Sequence, residues 1–284
     1  KVIEACPWVP PEKIVAHWVG IDPAEIAAAR QAVPRPERHR VVFASSPDRG
    51  LKNLLIAWPR VLGRLPEAEL EVLYGFDFWK RSEAVLQEPV RSQMIAARQE
   101  LEKLLRQPGV RVTGRLADRA EYLCHLASEE VWAYPCTGGE LCCKVALEAQ
   151  ALGVIPVVWP TMALQETVAD SRFHVPGSDL NVFADRIAGA LTHAETAREM
   201  LAETASRISS WQQLADFVWA QAAEKLETPV QLAAVPKPAE EVKPDLPERF
   251  AIPRPHRIGR HKLDVLMHVN GMPFDGQTDR VKSL

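Results

Sequence analysis

A chain of 284 residues, 47% hydrophobic and 25% charged, can bury a core of useful size and has the balance of a globular protein rather than a disordered one. Its formal net charge of −3 argues against a surface built for nucleic acid or an anionic membrane, and no apolar run approaches the ~20 residues of a membrane span. The five cysteines, Cys6, Cys124, Cys136, Cys142 and Cys143, form no CxxC pair, which speaks against a zinc site and for reduced thiols in a cytoplasmic protein.

Residues 1–25 read as an irregular inter-domain segment punctuated by Pro7, Pro10, Pro11 and Pro23. The chain starts on Lys1 with neither Met nor a visible secretory signal, as expected of a piece of a longer protein. Apolar, β-prone residues predict a strand over Arg40–Ala44, and helical spacing a helix over Leu51–Leu62. A strand over Glu69–Tyr74 follows, stopped by Gly75, then one long polar helix over 81–106 that ends at Pro108-Gly109. Next come a strand at Val110–Thr113, a helix at Ala117–Ala127, a strand at Glu130–Tyr134, a largely apolar helix at Leu141–Leu152 and a buried strand at Val154–Trp159. Short strands alternating with helices imply an α/β fold, a doubly wound Rossmann-like parallel sheet covered on both faces, over residues 26–228.

Helices are predicted at about 179–192, 194–208 and 210–226. Trp211, Leu214, Phe217, Val218 and Ala222 lie on one face of the last, and Trp211 and Trp219 read as core rather than as a ligand platform. Residues 229–258 read as a linker, with seven prolines between 229 and 255. Within 259–284, Lys262–Val269 reads as one further strand without a neighbour in sequence.

The segment 134–160 is the richest in chemistry. A strand ends at Tyr134-Pro135, a loop carries Gly138 and Gly139, and a helix follows. Free backbone N–H groups at the positive end of such a helix suit phosphate oxygens. Glu140 is placed at the helix start, and Glu148 eight residues on, roughly 12 Å along a helix axis. Two carboxylates so spaced suit sugar and ribose diols, because each accepts hydrogen bonds from adjacent hydroxyls. The series Glu140, Lys144, Glu148 also fits an ion-pair stripe on an exposed helix, but Val145, Ala146, Leu147, Ala149 and Leu152 make this helix mostly buried, where ornamental charge is rare.

The pattern from Glu140 to Glu148, continued by Ala149-Gln-Ala-Leu-Gly153 and Ile155-Pro-Val-Val158, resembles the donor-binding motif of family 4 glycosyltransferases. Ser45-Ser-Pro-Asp-Arg-Gly-Leu51 resembles that family's loop after the first strand, and Pro11–Asp22 the segment by which its members leave their N-terminal domain. Gly114-Arg115 stands where the family's backbone holds the base. The resemblance covers residues 11 to about 226. It implies the C-terminal half of a GT-B fold and transfer of a sugar, with retention, from a UDP- or GDP-sugar to an acceptor hydroxyl of a saccharide, lipid or protein, with no metal and no other cofactor. It implies that Glu140 and Arg49 act in catalysis, Glu140 on the donor sugar and Arg49 on the diphosphate. Glu148 would hold the ribose, and Lys144, Gly138, Gly139, Gly114, Arg115, Ser45 and Ser46 would line the rest of the donor. An N-terminal acceptor domain would complete the enzyme. Lys262–Phe274 resembles the first strand of a further transferase domain in cis, the alternative being a strand that docks back on this domain.

The sequence departs from the family at two points. Ala44 stands where a second basic residue is usual, and Leu141-Cys142-Cys143 replaces a glycine-rich stretch. Those departures keep two alternatives open, a non-catalytic glycosyltransferase-like binding module and a sugar-nucleotide epimerase on the same fold. Cys142 and Cys143 read as packing residues rather than nucleophiles, and His17 and Trp18 as packing at the domain boundary. Asp48 reads as a cap for the helix near Gly50. His256, His261 and His268 are spaced too irregularly for a metal site.

Overall fold

The computed structural model describes residues 14, 17, 19–34, 39–205 and 207–225. Cys6, Trp18, the 229–258 linker and the expected strand at 262–269 lie outside them. Five strands form one parallel sheet: β1 (Arg40–Phe43), β2 (Glu69–Val72), β3 (Val110–Val112), β4 (Val131–Tyr134) and β5 (Ile155–Val158), in the order β3-β2-β1-β4-β5. Val41, Val42 and Phe43 of central β1 are fully buried, as are the continuous apolar runs of β4 and β5. This is the signature of strands covered on both faces. The fold is the expected doubly wound α/β sheet.

The connecting helices are α1 (Pro23–Ala32), α2 (Leu51–Arg64), α3 (Asp77–Glu83), α4 (Val90–Leu104), α5 (Arg119–Ala127), α6 (Lys144–Leu152), α7 (Leu164–Thr167), α8 (Leu180–Thr192), α9 (Ala194–Ala205) and α10 (Trp211–Lys225). One group, α2, α8 and α4, packs together, and a second group joins α1, α5 and α6. Helix α2 buries Leu51, Leu54, Leu55, Trp58 and Val61. Pro59 inside it has no N–H to give the Leu55 carbonyl. The Gln107 side-chain amide donates to that carbonyl instead, at 2.9 Å, and the Trp58 indole donates to Pro108 O at 3.0 Å. The start of β3 is thereby tied to α2. Among the described residues no helix is long and apolar enough to cross a membrane.

Four expectations are corrected. Pro23 does not belong to an irregular segment; it opens α1, whose N-cap Asp22 accepts from the N–H groups of Ala24 and Glu25. The helix expected over 81–106 is two, α3 and α4, separated around Pro89 because proline cannot continue the hydrogen-bond ladder. The helix expected from Leu141 starts three residues later, at Lys144. The expected core face of α10 is largely at the surface: Trp211, Val218 and Trp219 are 46%, 54% and 54% exposed, and Leu214 and Phe217 are half-buried. Apolar spacing identifies a helix face but not what lies against it.

A buried polar cluster joins α5 to the sheet. Glu71 on β2 accepts from Thr113 and lies 3.0 Å from Arg111 and 3.1 Å from His125 Nδ1. Glu129, just before β4, hydrogen-bonds Glu71. Burial first, and then the charge of Glu71, push the Glu129 carboxyl up to about 9. The neutral acid is therefore the form the fold favours, so this stability is complete below the ordinary carboxyl value of 4.5 and is lost as pH rises toward about 9. Urea midpoints of the wild type are expected to fall between pH 5 and pH 9, and Glu129→Gln to flatten that slope. A slope unchanged in the variant would show that Glu129 is not its source.

Candidate functional site

The sheet order changes direction at β1: the chain goes outward through β2 and β3, then returns to place β4 on the other side. The loops after β1 and β4 therefore diverge at the carboxyl ends of neighbouring strands, the position at which doubly wound sheets open a ligand crevice. The loop 44–50 and the loop 135–143 meet there. Gly50, at the N-cap of α2, has φ 100°, and a Cβ on it would lie 2.3 Å from the Pro135 carbonyl oxygen. Only glycine fits that backbone and that distance. Asn53 adds a hydrogen bond of 3.1 Å to the same oxygen. Asp48 is no cap to α2; it accepts from the Ser46 hydroxyl and pairs with Arg49 at 3.9 Å.

This approach carries Arg49 onto the second loop. Its Nη1 donates to Gly139 O at 2.9 Å and lies 3.8 Å from Glu140 Oε2. Burial works against the guanidinium charge, and Glu140, with Tyr134, Cys136 and Asp48, outweighs it, so the Arg49 pKa stands above its ordinary value. Glu140 is 8% exposed, and the buried Tyr134 hydroxyl donates to its Oε2 at 2.8 Å. Tyr134 stacks on Trp132 with ring centroids 4.9 Å apart, and the Ser45 hydroxyl lies 3.5 Å from its OH. The Glu140 carbonyl accepts from Ala163 N at 3.0 Å, which joins the loop after β5 to the same wall. Gln165, on α7, donates to Pro160 O and is exposed, like Glu166.

Since α6 begins at Lys144, Glu140 belongs to the loop, and the distance estimated along a helix axis does not apply to it. Glu148 is on α6, 1% exposed. Arg119 Nη2 on α5 reaches its Oε1 at 2.7 Å, and Lys144 Nζ reaches the same oxygen at 3.3 Å. Burial and Glu148 raise the Tyr122 pKa well above its ordinary value. The N-cap residue of α6, Cys143, supplies no side-chain acceptor, and its carbonyl takes the Ala146 N–H at 3.0 Å, which leaves the N–H groups of Lys144 and Val145 for water or a ligand. Burial, then Glu140, pushes the Cys143 thiol up, and His125 and His174 are engaged on Glu71 and on Val168 O. Neither histidine is thus a base for Cys142 or Cys143, and Cys143 packs in the core.

Gly138 and Gly139 are exposed on the loop, and neither has positive φ. Gly114 (φ 86°) and the exposed Arg115 end β3, beside Gly75 after β2. Ala44 is buried, so no side-chain charge stands at that position. His17 packs against Phe217, with ring centroids 4.4 Å apart and the planes tilted by 37°. Sequence reasoning missed Tyr134, Arg119, Tyr122 and Asn53. Tyr134 had a signal, as the last strand residue before the loop proline. Arg119 is 29 positions from Glu148 and had none.

The family model for Glycosyl transferases group 1 matches residues 38–193. No curated protein matches the chain. Similar solved structures include a UDP-forming alpha,alpha-trehalose-phosphate synthase from Burkholderia xenovorans, 16% identical over 74% of this chain and 52% of that one, with a TM-score of 0.57. A glycosyltransferase from Rickettsia africae is 14% identical over 80% and 62%, with a TM-score of 0.61. Anabaena HepE, solved with UDP and glucose, is 16% identical over 73% and 54%, with a TM-score of 0.51. The chain thus spans between 52% and 62% of these proteins' lengths.

Gly50→Ala is expected to cost about 1–3 kcal/mol from backbone conformation alone, with more from the clash at Pro135, read as a lower urea midpoint. Gly63→Ala, in the same helix with nothing within 4 Å of the added Cβ, is expected to raise the midpoint instead. Equal effects of the two would remove the Gly50–Pro135 constraint.

Proposed function

Because the chain belongs to the Glycosyl transferases group 1 family, we propose that it forms the nucleotide-sugar donor site of a retaining glycosyltransferase, with the acceptor half supplied by an N-terminal domain. The observation that carries this reading is the convergence of Arg49, Glu140 and the open N-terminus of α6 at the crevice between β1 and β4. In the reaction, the bond between the sugar's anomeric carbon and the diphosphate oxygen breaks. A bond to an acceptor hydroxyl oxygen forms on the same face, and the hydroxyl proton passes to a diphosphate oxygen or to water. Negative charge grows on the diphosphate. Arg49 can meet it bidentately once it exchanges Gly139 O for a phosphate. Lys144 and the N–H groups of α6 add positive potential.

Glu140, held by Tyr134, accepts from the sugar hydroxyls, and Glu148 from the ribose. Gly114-Arg115 faces the base, Ser45 and Ser46 line the wall beside Arg49, and Gly138-Gly139 leaves room for the diphosphate. Among the described residues no group of three or more His, Cys, Asp or Glu side chains is placed to hold a metal ion, and the cationic groups named here would serve the diphosphate. A uridine donor is the first candidate, as in the HepE structure solved with UDP and glucose.

Titration calorimetry with UDP, GDP and their glucose conjugates tests the reading. The chain is expected to bind one of the two series. Arg49→Ala and Glu148→Ala should each weaken it about tenfold or more, the loss of one charge-assisted contact. Binding unaffected by either substitution would overturn the site, and no binding by the wild type would favour a non-catalytic module.

A further inference from the structure

We propose that Arg119 is the fixed partner that orients Glu148 for the ribose, while Lys144 is an exchangeable partner that leaves Glu148 for the diphosphate; this rests on the donor-site reading above. The two cations meet the same atom, Glu148 Oε1, at 2.7 Å and 3.3 Å, but their other attachments differ. Arg119 is held on three sides. Its Nη2 meets Glu148, its Nε meets Glu25 Oε2 on α1 at 3.1 Å, and its guanidinium carbon lies 5.5 Å over the Tyr122 ring. Glu148 also acts on Tyr122, so the ring under the guanidinium lies near the carboxylate as well. Burial opposes the Arg119 charge, and Glu148 and Glu25 more than restore it, leaving its pKa above the ordinary value.

Lys144 has no such frame. Its side chain is 43% exposed, and its other neighbour is the Trp211 ring, 5.9 Å away. It is also the first residue of α6, where a cation opposes the positive end of the helix. An anionic diphosphate at that end would relieve both charges at once. A carboxylate offers about four acceptor positions, and Arg119 and Lys144 crowd onto one oxygen, Oε1. Departure of Lys144 would leave Arg119 as the one recorded cation on that oxygen and free its other side for a ribose hydroxyl. Diphosphate capture would therefore open the ribose site, with Arg119 keeping the carboxylate in place.

Binding of UDP and GDP is compared with that of their 2′-deoxy counterparts by titration calorimetry, on wild type, Arg119→Gln, Arg119→Lys and Lys144→Gln, with melting curves for each. The wild type is expected to prefer a ribonucleotide over its deoxy form by about tenfold or more. Arg119→Gln should narrow that ratio to within about threefold, and Arg119→Lys, which keeps the charge but loses the fork, should narrow it part way. Lys144→Gln should weaken ribo and deoxy forms by the same factor. A merely structural Arg119 would change melting and leave the ratio alone. A wild-type ratio retained in both Arg119 variants, or a ratio lost in Lys144→Gln, overturns this assignment alone. Failure of the wild type to bind any of the four nucleotides overturns it together with the donor-site reading.

Discussion

The close approach of Gly50 to the Pro135 carbonyl is the constraint on which the site depends. It fastens the loop after β1 to the loop after β4 at a distance no side chain at residue 50 permits. Arg49 then reaches Gly139, 90 positions away in sequence, and stands beside Glu140. The sheet order supplies the setting, since a return from β3 to the far side of β1 is what makes these two loops neighbours. Once the loops are joined, the remaining geometry follows from strand ends that are already rigid. Tyr134 is buried at the end of β4 and presents its hydroxyl to Glu140 without needing order from the loop itself.

Among the described residues the buried carboxylates differ in their partners, and Glu130 pairs with His39 and Arg198. Glu71 and Glu129 share a hydrogen bond in a cluster with Thr113, His125 and Arg111, and the fold holds the Glu129 acid neutral. That arrangement ties α5 to β2. Glu140 and Glu148 instead face groups that can exchange: Arg49 on a backbone carbonyl, and Lys144 on a carboxylate at an uncapped helix start. Charges with replaceable partners are what an anionic ligand requires, because the cost of releasing them is offset by the new contacts.

The two ends of the described domain also meet. Ile21 N donates to Ser209 O and Trp211 N to Ile21 O, at 3.0 Å and 3.1 Å. This pairing sets Trp211 near Lys144 at the mouth of α6, so the segment before α1 and the start of α10 border the same site.

Alternating short strands and helices, and the Glu140-to-Glu148 pattern with its following Pro-Val strand, were legible in the sequence because period and burial are local properties of the chain. The parallel sheet followed from them, and the assignment of Arg49 to the donor site came from the resemblance of its loop to the family. The break at Pro89 and the opening of α1 at Pro23 were legible as proline chemistry but fell inside patterns that suggested otherwise. Only the tertiary structure decided that Glu140 lies on a loop under Tyr134, that Arg119 rather than Lys144 alone holds Glu148, and that α10 shows its tryptophans to solvent. Each is a contact between residues from different elements. Sequence spacing orders the side chains along one element, but which of them meet across elements depends on strand order and helix packing.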